Sequence, residues 1–262
     1  MALPSHDALV TPDPAPGPTE ADDDALIERL RARAWHPGRR FDSATVPAAW
    51  MAERYGPEHP AKIRAGIVGH GSDGTITLKS HTEEVAAYYA DAPRGPLFPA
   101  ATPAEVESAE RVIGRPLPEL LRRLYTEVAD GGFGPDGGLA SLVDGRRAPG
   151  DLMDWPAAVS VHRRNRAAGL PASWFYLTSG GCTMEWHVSL IAVDNPVLLY
   201  DADGWEPGRG EDAHDGLRHA TGSLRRWLWT WADGGHVWDE HLGLLGHTGA
   251  RRRGPDPGRR AR

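Results

Sequence analysis

Two aspartates at the end of an apolar run could carry phosphoryl-transfer chemistry. Residues 197–205 (VLLYDADGW) are typical of a buried strand followed at once by Asp201 and Asp203. In an aspartate-based phosphohydrolase the first carboxylate attacks phosphorus and the second acts as acid or base. That reaction also needs a downstream cation and further acids for magnesium, whereas the only lysines, Lys62 and Lys79, lie upstream. We therefore favour a turn whose aspartates accept hydrogen bonds from backbone amides.

A second segment could cradle the pyrophosphate of a dinucleotide. Residues 132–137 (GFGPDG) match the pattern G-x-G-x-x-G. A dinucleotide loop must leave a strand and open a helix, whose N-terminus binds the pyrophosphate. This segment instead follows a helical pattern, and Pro135 with the glycines after it disfavours a new helix. The pattern therefore predicts the end of a helix, with Gly131 or Gly132 in the left-handed conformation, and no cofactor.

Histidine and cysteine offer two further kinds of chemistry. His236 and His241 lie five residues apart in HVWDEHLGLLGH, whereas a zinc-binding pair on one helical face lies four apart. No cysteine pair is nearby, so we predict no metal site. Cys182 follows two glycines and could be a nucleophile, but we favour a small buried cysteine at a strand start.

The charge distribution bears on the class of partner. The net charge of −7 comprises −6 in residues 1–24, +5 in residues 251–262 and therefore −6 in the body between them. A mildly acidic body argues against nucleic acid, because binding phosphates requires clustered positive charge. It suits a basic protein partner, although ordinary solubility accounts for the charge equally well.

The chain shows no sign of membrane insertion or export. No apolar run approaches the roughly 18–20 residues that cross a bilayer, and the N-terminus lacks the basic and apolar regions of a signal peptide. A lone cysteine cannot form an internal disulfide. We expect a cytoplasmic protein.

The elements that would position these residues begin with helices. Residues 22–35 predict a helix whose apolar face is Leu26, Ile27, Leu30 and Ala34. Thr102, Pro103 and Glu105 form a capping box that opens a helix ending at Gly114. A second amphipathic helix runs from Leu117 to about Ala129.

Strands follow, and then one last helix. After a polar helix near 156–168, the strand pattern covers 173–178, 186–193 and 196–200, with a turn at Asp194-Asn195-Pro196. A final helix begins after Ser223 and places Leu224, Trp227, Leu228 and Trp231 on one face. Helices, then strands, then a helix predict an α+β fold.

Residues 43–97 look like a separate small module. The segment AGIVGHGSDGTITLKS predicts two strands around a hairpin turn at Asp73-Gly74. A short helix capped by Thr82 follows in TEEVAAYYA.

Several blocks of sequence resemble the SMI1/KNR4 (SUKH) superfamily, actinobacterial type. The most specific block, residues 101–139, combines an acid-rich capped helix, a Leu-Pro step and a Gly-Gly-Phe-Gly-Pro loop. Asp130 departs from the family pattern, since Asn often precedes the glycines. Asp130 would either add charge to a ligand-facing edge or act as an ordinary loop residue. The other blocks are DDALIERLRARAW (23–35), GGCTMEW (180–186), VLLYDADGW (197–205) and SLRRWLWTWADG (223–234). The resulting boundaries are a disordered segment 1–21, an SMI1/KNR4-like domain over 22–42 and 98–248, an inserted module 43–97 and a basic disordered tail 249–262.

The resemblance implies helices packed around a curved, mainly antiparallel sheet, and a binding role without a shared catalytic apparatus. Many bacterial members are immunity proteins that neutralise polymorphic toxins, and fungal members are scaffolds. We therefore expect a non-enzymatic protein that occludes a basic toxin domain. A scaffold whose 43–97 insert carries specificity, and a magnesium-dependent phosphohydrolase using Asp201 and Asp203, are the alternatives. The candidate partner-binding residues are Asp136, Glu185, Asp201, Asp203 and Trp205.

Overall fold

The computed structural model describes residues 22–36, 40, 43–56, 58, 67–70, 75–79, 97–145, 156–206 and 211–250. Its helices are α1 (Asp22–Trp35), α2 (Ala48–Tyr55), α3 (Pro103–Ile113), α4 (Glu119–Arg123), α5 (Ala158–Ala167), α6 (Leu224–Ala232) and α7 (Asp239–Ala250). Its strands are β1 (Ser43–Pro47), β2 (Ile67–His70), β3 (Thr75–Lys79), β4 (Trp174–Gly181), β5 (Met184–Ser189), β6 (Val197–Asp201) and β7 (Leu217–Ala220). The expected disorder of residues 1–21 and of the tail from 251 lies outside this description.

Helix α1 forms as predicted and buries its whole apolar face. Leu26, Ile27, Leu30 and Ala34 are each at most 1% exposed. The helix lies beside α6, where the carboxylate of Asp23 accepts hydrogen bonds from Arg225 at 2.6 and 2.9 Å. Helix α1 therefore belongs to the same core as α6, although about 190 residues separate them in the chain.

The capping box of α3 is confirmed. The Thr102 hydroxyl accepts from the Glu105 backbone at 3.3 Å, and the Glu105 carboxylate accepts from the Thr102 backbone at 2.6 Å. Gly114 ends the helix with a φ of 82°. The next predicted helix is present but not uniform, since α4 continues as a π-helical turn over Leu124–Val128.

The 43–97 region contributes a three-stranded antiparallel sheet in the order β1-β3-β2. The pairing of β2 with β3 confirms the two predicted strands. The turn between them and the helix predicted at TEEVAAYYA lie outside the described residues. Strand β1 and helix α2 have no counterpart in the sequence prediction, because elements of five to eight residues leave little periodic signal. A separate, inserted module remains a prediction.

The larger sheet has four antiparallel strands in the order β4-β5-β6-β7. The three predicted strands are confirmed, but the second ends at Ser189 rather than Val193, and β7 was not predicted. Helix α7 is also new, so α6 is not the last helix. Together with the helices, this sheet confirms the α+β class.

Neighbouring residues of a strand point to opposite sides, so the sheet has two faces of different character. The core face carries Trp186 and Val188, which pack with residues of α1, α3 and α6 in the main core. The second face carries His187 and Tyr200, and a smaller cluster around Trp205 covers part of it. No described helix is both long and apolar enough to cross a bilayer.

Candidate functional site

Asp201 and Asp203 lie where β6 ends, and they form a turn. The Asp201 carboxylate accepts from the Thr183 hydroxyl at 2.7 Å and from the Asp203 backbone at 3.2 Å. Arg218 donates to its other oxygen at 3.0 and 3.2 Å. The Thr183 hydrogen bond, followed by those of Arg218 and Asp203, lowers the pKa of Asp201 against the effect of burial. The turn interpretation is confirmed, and a nucleophilic role for Asp201 gains no support.

The other two residues of this segment differ in exposure. Asp203 is exposed. Trp205, also a candidate for partner binding, is only 9% exposed. Its indole nitrogen donates to the Tyr200 hydroxyl and its ring packs with Leu170. Trp205 therefore completes a small core, because a large amphipathic ring is stabilised where its N–H has a buried acceptor.

Glu185 lies on the second face and joins β5 to helix α5. Its carboxylate accepts from the Asn165 amide at 2.9 Å, bonds His187 Nε2 at 3.0 Å and lies 3.4 Å from Arg164 Nη2. Burial raises the pKa of Glu185, but the bonds from His187 and Asn165 and the charge of Arg164 outweigh it and lower that pKa. Glu185 is thus a partly buried anion held by internal donors.

His187 is a polar residue that the sequence reasoning missed. It is fully buried, with the rings of Tyr176 and Tyr200 each at 5.8 Å and that of Trp174 at 6.4 Å. Its bond to Glu185 resembles the base and orienting carboxylate of an acid–base dyad. However, His187 Nδ1 is buried and has no hydrogen-bond partner in the described part of the chain. The surrounding aromatic rings close that nitrogen off from solvent.

A sequence signal for this pair existed. Glu185 and His187 are two apart, and residues so spaced on a strand share one face. The strand predicted from the sequence begins at Trp186, however, and leaves Glu185 outside it. Asn165, which donates to Glu185, lies on a helix twenty residues upstream, and no sequence pattern connects Asn165 with Glu185.

Asp136 lies on the opposite side of the sheet from Glu185. Its carboxylate accepts hydrogen bonds from the indole nitrogens of Trp186 at 2.8 Å and Trp238 at 3.0 Å. Its backbone is in the left-handed region, with a φ of 52°, which Asp tolerates better than most residues. Because Trp186 and Glu185 are neighbours in β5, their side chains point to opposite faces. The five candidate residues therefore do not form one surface.

The glycine loop, residues 131–138, is structural. Gly131 and Gly132 have φ values of 78° and 73°, and a Cβ on Gly131 would lie 2.7 Å from the Leu139 and Ala140 backbone. Asp130 is 2% exposed, and its carboxylate accepts from the backbone of Leu142 at 2.7 Å. The loop thus ends a helix, as predicted. Asp130 does not add charge to a ligand-facing edge, since it caps the returning backbone.

The apolar loop, residues 190–196 between β5 and β6, is the main surface feature that sequence reasoning missed. Ile191 is 68% exposed and Val193 is 86% exposed. The alternation of WHVSLIAV predicts a strand through Val193, but the chain leaves the sheet after Ser189. Asp194 and Asn195 then take left-handed conformations with φ values of 61° and 48°. The predicted turn is present, and Ile191 and Val193, which precede it, are exposed to solvent.

Cysteine and histidine also differ in part from expectation. Cys182 is exposed, with a φ of 49° in the turn between β4 and β5, so the expected burial is wrong. A turn residue has no sheet neighbour to cover it. His241 is 9% exposed and stacks against His219 with ring centroids 5.7 Å apart. Across the described ranges, no group of three or more His, Cys, Asp or Glu side chains is placed to hold a metal ion.

Comparisons with known proteins return no relative. No protein-family model, no curated protein and no solved structure matches the chain.

Proposed function

We propose that this chain is a non-enzymatic protein-binding domain of the SMI1/KNR4 type, acting in the cytoplasm as an immunity protein. The observation that carries the proposal is the exposure of large aliphatic side chains on ordered elements. Ile191 and Val193 extend from the apolar loop and are 68% and 86% exposed. Exposed apolar groups that cluster on ordered elements are typical of surfaces that bind another protein.

The carboxylates near the sheet support this proposal because they already accept hydrogen bonds from other residues of the protein. Asp201, Asp136 and Glu185 are each held by two or more internal donors. Groups so held are poor nucleophiles or bases, because catalysis would first require breaking those bonds. Of the acidic candidates, Asp203 is the exposed one.

The proposed mechanism is occlusion. The body of the protein has a net charge of −6, which would attract a basic toxin domain over long range and accelerate encounter. Burial of the aliphatic side chains would then slow dissociation, since apolar surface removed from water supplies most of the attraction. The toxin would be inactive because its working surface is covered.

The test is capture from the native host with the full chain. The tagged protein is immobilised and washed at low and then at high salt, and the retained proteins are identified, with attention to the product of any adjacent toxin gene. The proposal expects one stoichiometric partner whose toxicity is suppressed by co-expression of this chain. Failure to retain any protein at low salt would count decisively against it.

A parallel assay addresses the phosphohydrolase alternative. The purified chain is incubated with magnesium and a generic phosphate monoester, beside the variant Asp201→Asn. Our proposal expects no turnover by either protein. Magnesium-dependent turnover that is lost in Asp201→Asn would replace the binding proposal with an enzymatic one.

A further inference from the structure

We propose that the apolar loop is the element that enters the partner, and that the partner presents an apolar pocket with a basic rim. This inference rests on the proposed binding function and adds the surface and the chemistry of its target. It commits to another protein as occupant, in preference to a second copy of this chain or a lipid surface.

The first argument is the exposure of the loop tip. Ile191 and Val193 are more exposed than Leu242 and Leu244 of α7. The loop thus offers two exposed β-branched side chains within three residues, and so small an apolar area is covered more completely by a concave pocket than by a flat surface. The burial of a few such apolar side chains at the centre of an interface often supplies most of its affinity.

The second argument is that the loop is held in place before binding. The Leu190 backbone donates to Ser173 O at 2.8 Å, and the Asn195 amide donates to Ser189 O at 2.9 Å. At the other end, the Leu224 backbone, which begins α6, donates to Asn195 O at 2.9 Å. A loop fixed at both ends loses little conformational entropy on association, so its exposed apolar groups are available at low cost.

The third argument is the charge around the tip. Asp194, next to Val193, is exposed and makes no ion pair with any residue that the structure describes. The first turn of α1 lies at the same end of the molecule, because Asp23 pairs with Arg225, the neighbour of Leu224. Its acids are compensated there, since Asp23 pairs with Arg225 at 2.6 Å and Asp24 with Arg123 at 2.8 Å. The charge that faces solvent beside the apolar tip is therefore that of Asp194, which is complementary to Lys or Arg at the rim of a pocket and is repelled by anionic lipid.

Photo-crosslinking in the full chain tests where the partner binds. The crosslinking amino acid p-benzoylphenylalanine replaces Ile191 in one protein and Leu242 in a matched control. The inference expects the protein labelled at position 191 to join a different protein, through an apolar segment flanked by Lys or Arg. Crosslinks only from position 242, only to a second copy of this chain, or only to lipid would each overturn it.

Affinity measurements with the captured partner test which side chains matter. We expect the double substitution I191S and V193S to weaken binding at least about tenfold, as truncation of a central apolar anchor does. The matched double substitution L242S and L244S should change affinity no more than about threefold. The single substitution V193T, which keeps the branched shape, guards against loss of folding, and it should weaken binding in the same direction.

Charge reversal completes the test. Asp194→Lys should weaken binding at low salt and reduce the dependence of affinity on salt, because a favourable contact with a basic rim becomes repulsive. Unchanged affinity in both the loop variants and Asp194→Lys would overturn the inference while leaving the binding function intact. Absence of any captured partner would instead overturn the binding function itself.

Discussion

The glycine loop and the apolar loop share a backbone conformation but differ in which side chains they bury. Both contain consecutive residues in the left-handed region, at Gly131 and Gly132 in one and at Asp194 and Asn195 in the other. Beside the glycine loop the acidic residue is inside the protein, where Asp130 is 2% exposed. In the apolar loop the aliphatic residues are outside, where Val193 is 86% exposed.

The difference shows that composition alone does not indicate which loop is enclosed by the protein and which leaves its side chains exposed. A carboxylate whose hydrogen bonds all come from internal donors contributes to stability, and so does a glycine enclosed by backbone atoms. This holds even when the local sequence matches a cofactor motif. An exposed aliphatic side chain is available to a partner, even when the sequence around it predicts a strand. The number of internal partners, and not residue type, therefore separates the two loops.

The largest effect that would separate the loops is expected at Gly131. Gly131→Ala should lower the free energy of unfolding by about 3 kcal/mol or more, since it combines a left-handed backbone with a clash against backbone atoms. Gly114→Ala is the matched control, because Gly114 also has a positive φ but a Cβ added there would meet no atom within 4 Å. The Gly114→Ala substitution should lower the free energy of unfolding by about 1 kcal/mol. Urea unfolding measures both. Equal costs would mean that the glycine loop is not tightly packed.

The next effect tests whether Asp136 stabilises the fold. Asp136→Ala removes the acceptor of two indole N–H groups and should cost about 2–3 kcal/mol in urea unfolding. Asp136→Asn keeps one acceptor and tolerates the left-handed backbone, so it should cost about 1 kcal/mol. Tryptophan fluorescence should change more in the alanine variant. If Asp136→Ala were stable but failed to bind the partner, Asp136 would belong to the binding surface, as the sequence predicts.

A smaller effect is expected in the apolar loop. Asn195→Ala loses the hydrogen bond to Ser189 O and places alanine at a φ of 48°, which should cost about 1–2 kcal/mol. Asn195→Gly loses the same bond but accepts the backbone, so it should cost less. By contrast, Val193→Ser should change the free energy of unfolding by less than about 0.5 kcal/mol. A large cost for Val193→Ser would show that its side chain has a partner in the folded protein.

The smallest effect concerns Glu185 in the larger sheet. Because the folded pKa of Glu185 is lowered, its anion stabilises the fold above the unfolded pKa of about 4.3, and that contribution is lost as pH falls through the lower folded value. The difference in unfolding free energy between the native chain and Glu185→Gln should therefore shrink as pH falls from about 5 to about 3. Urea unfolding at stepped pH measures it. A difference that grew on acidification would contradict the direction of the shift.

Local signals were sufficient for most helices and for three strands of the larger sheet. The capping box of α3, the apolar face of α1 and the cap of α6 at Ser223 depend on residues within one or two turns, and all are present. The short elements β1, β7 and α2 were not predicted. Helix α7 was missed because its glycines and polar residues obscure an apolar face.

The candidate site was less predictable than the fold. The sequence identified Asp201, Glu185 and Asp136 as unusual carboxylates, but their donors Arg218, Asn165 and Trp238 come from other elements. Whether a carboxylate is free to bind a partner depends on those distant donors. The same limit applies to Trp205, whose burial depends on Tyr200 and Leu170.

By itself, the sequence determined the α+β class, the main helices and the structural role of the GFGPDG match. These follow from spacing, capping and glycine chemistry within a few residues of one another. The tertiary structure alone decided which polar groups are saturated and which apolar groups are left uncovered. Those outcomes depend on segments far apart in the chain, such as Asp136 with Trp238 and the apolar loop with the start of α6. Burial and hydrogen bonding are properties of neighbours in space, and so the surface available to a partner emerges only once the chain has folded.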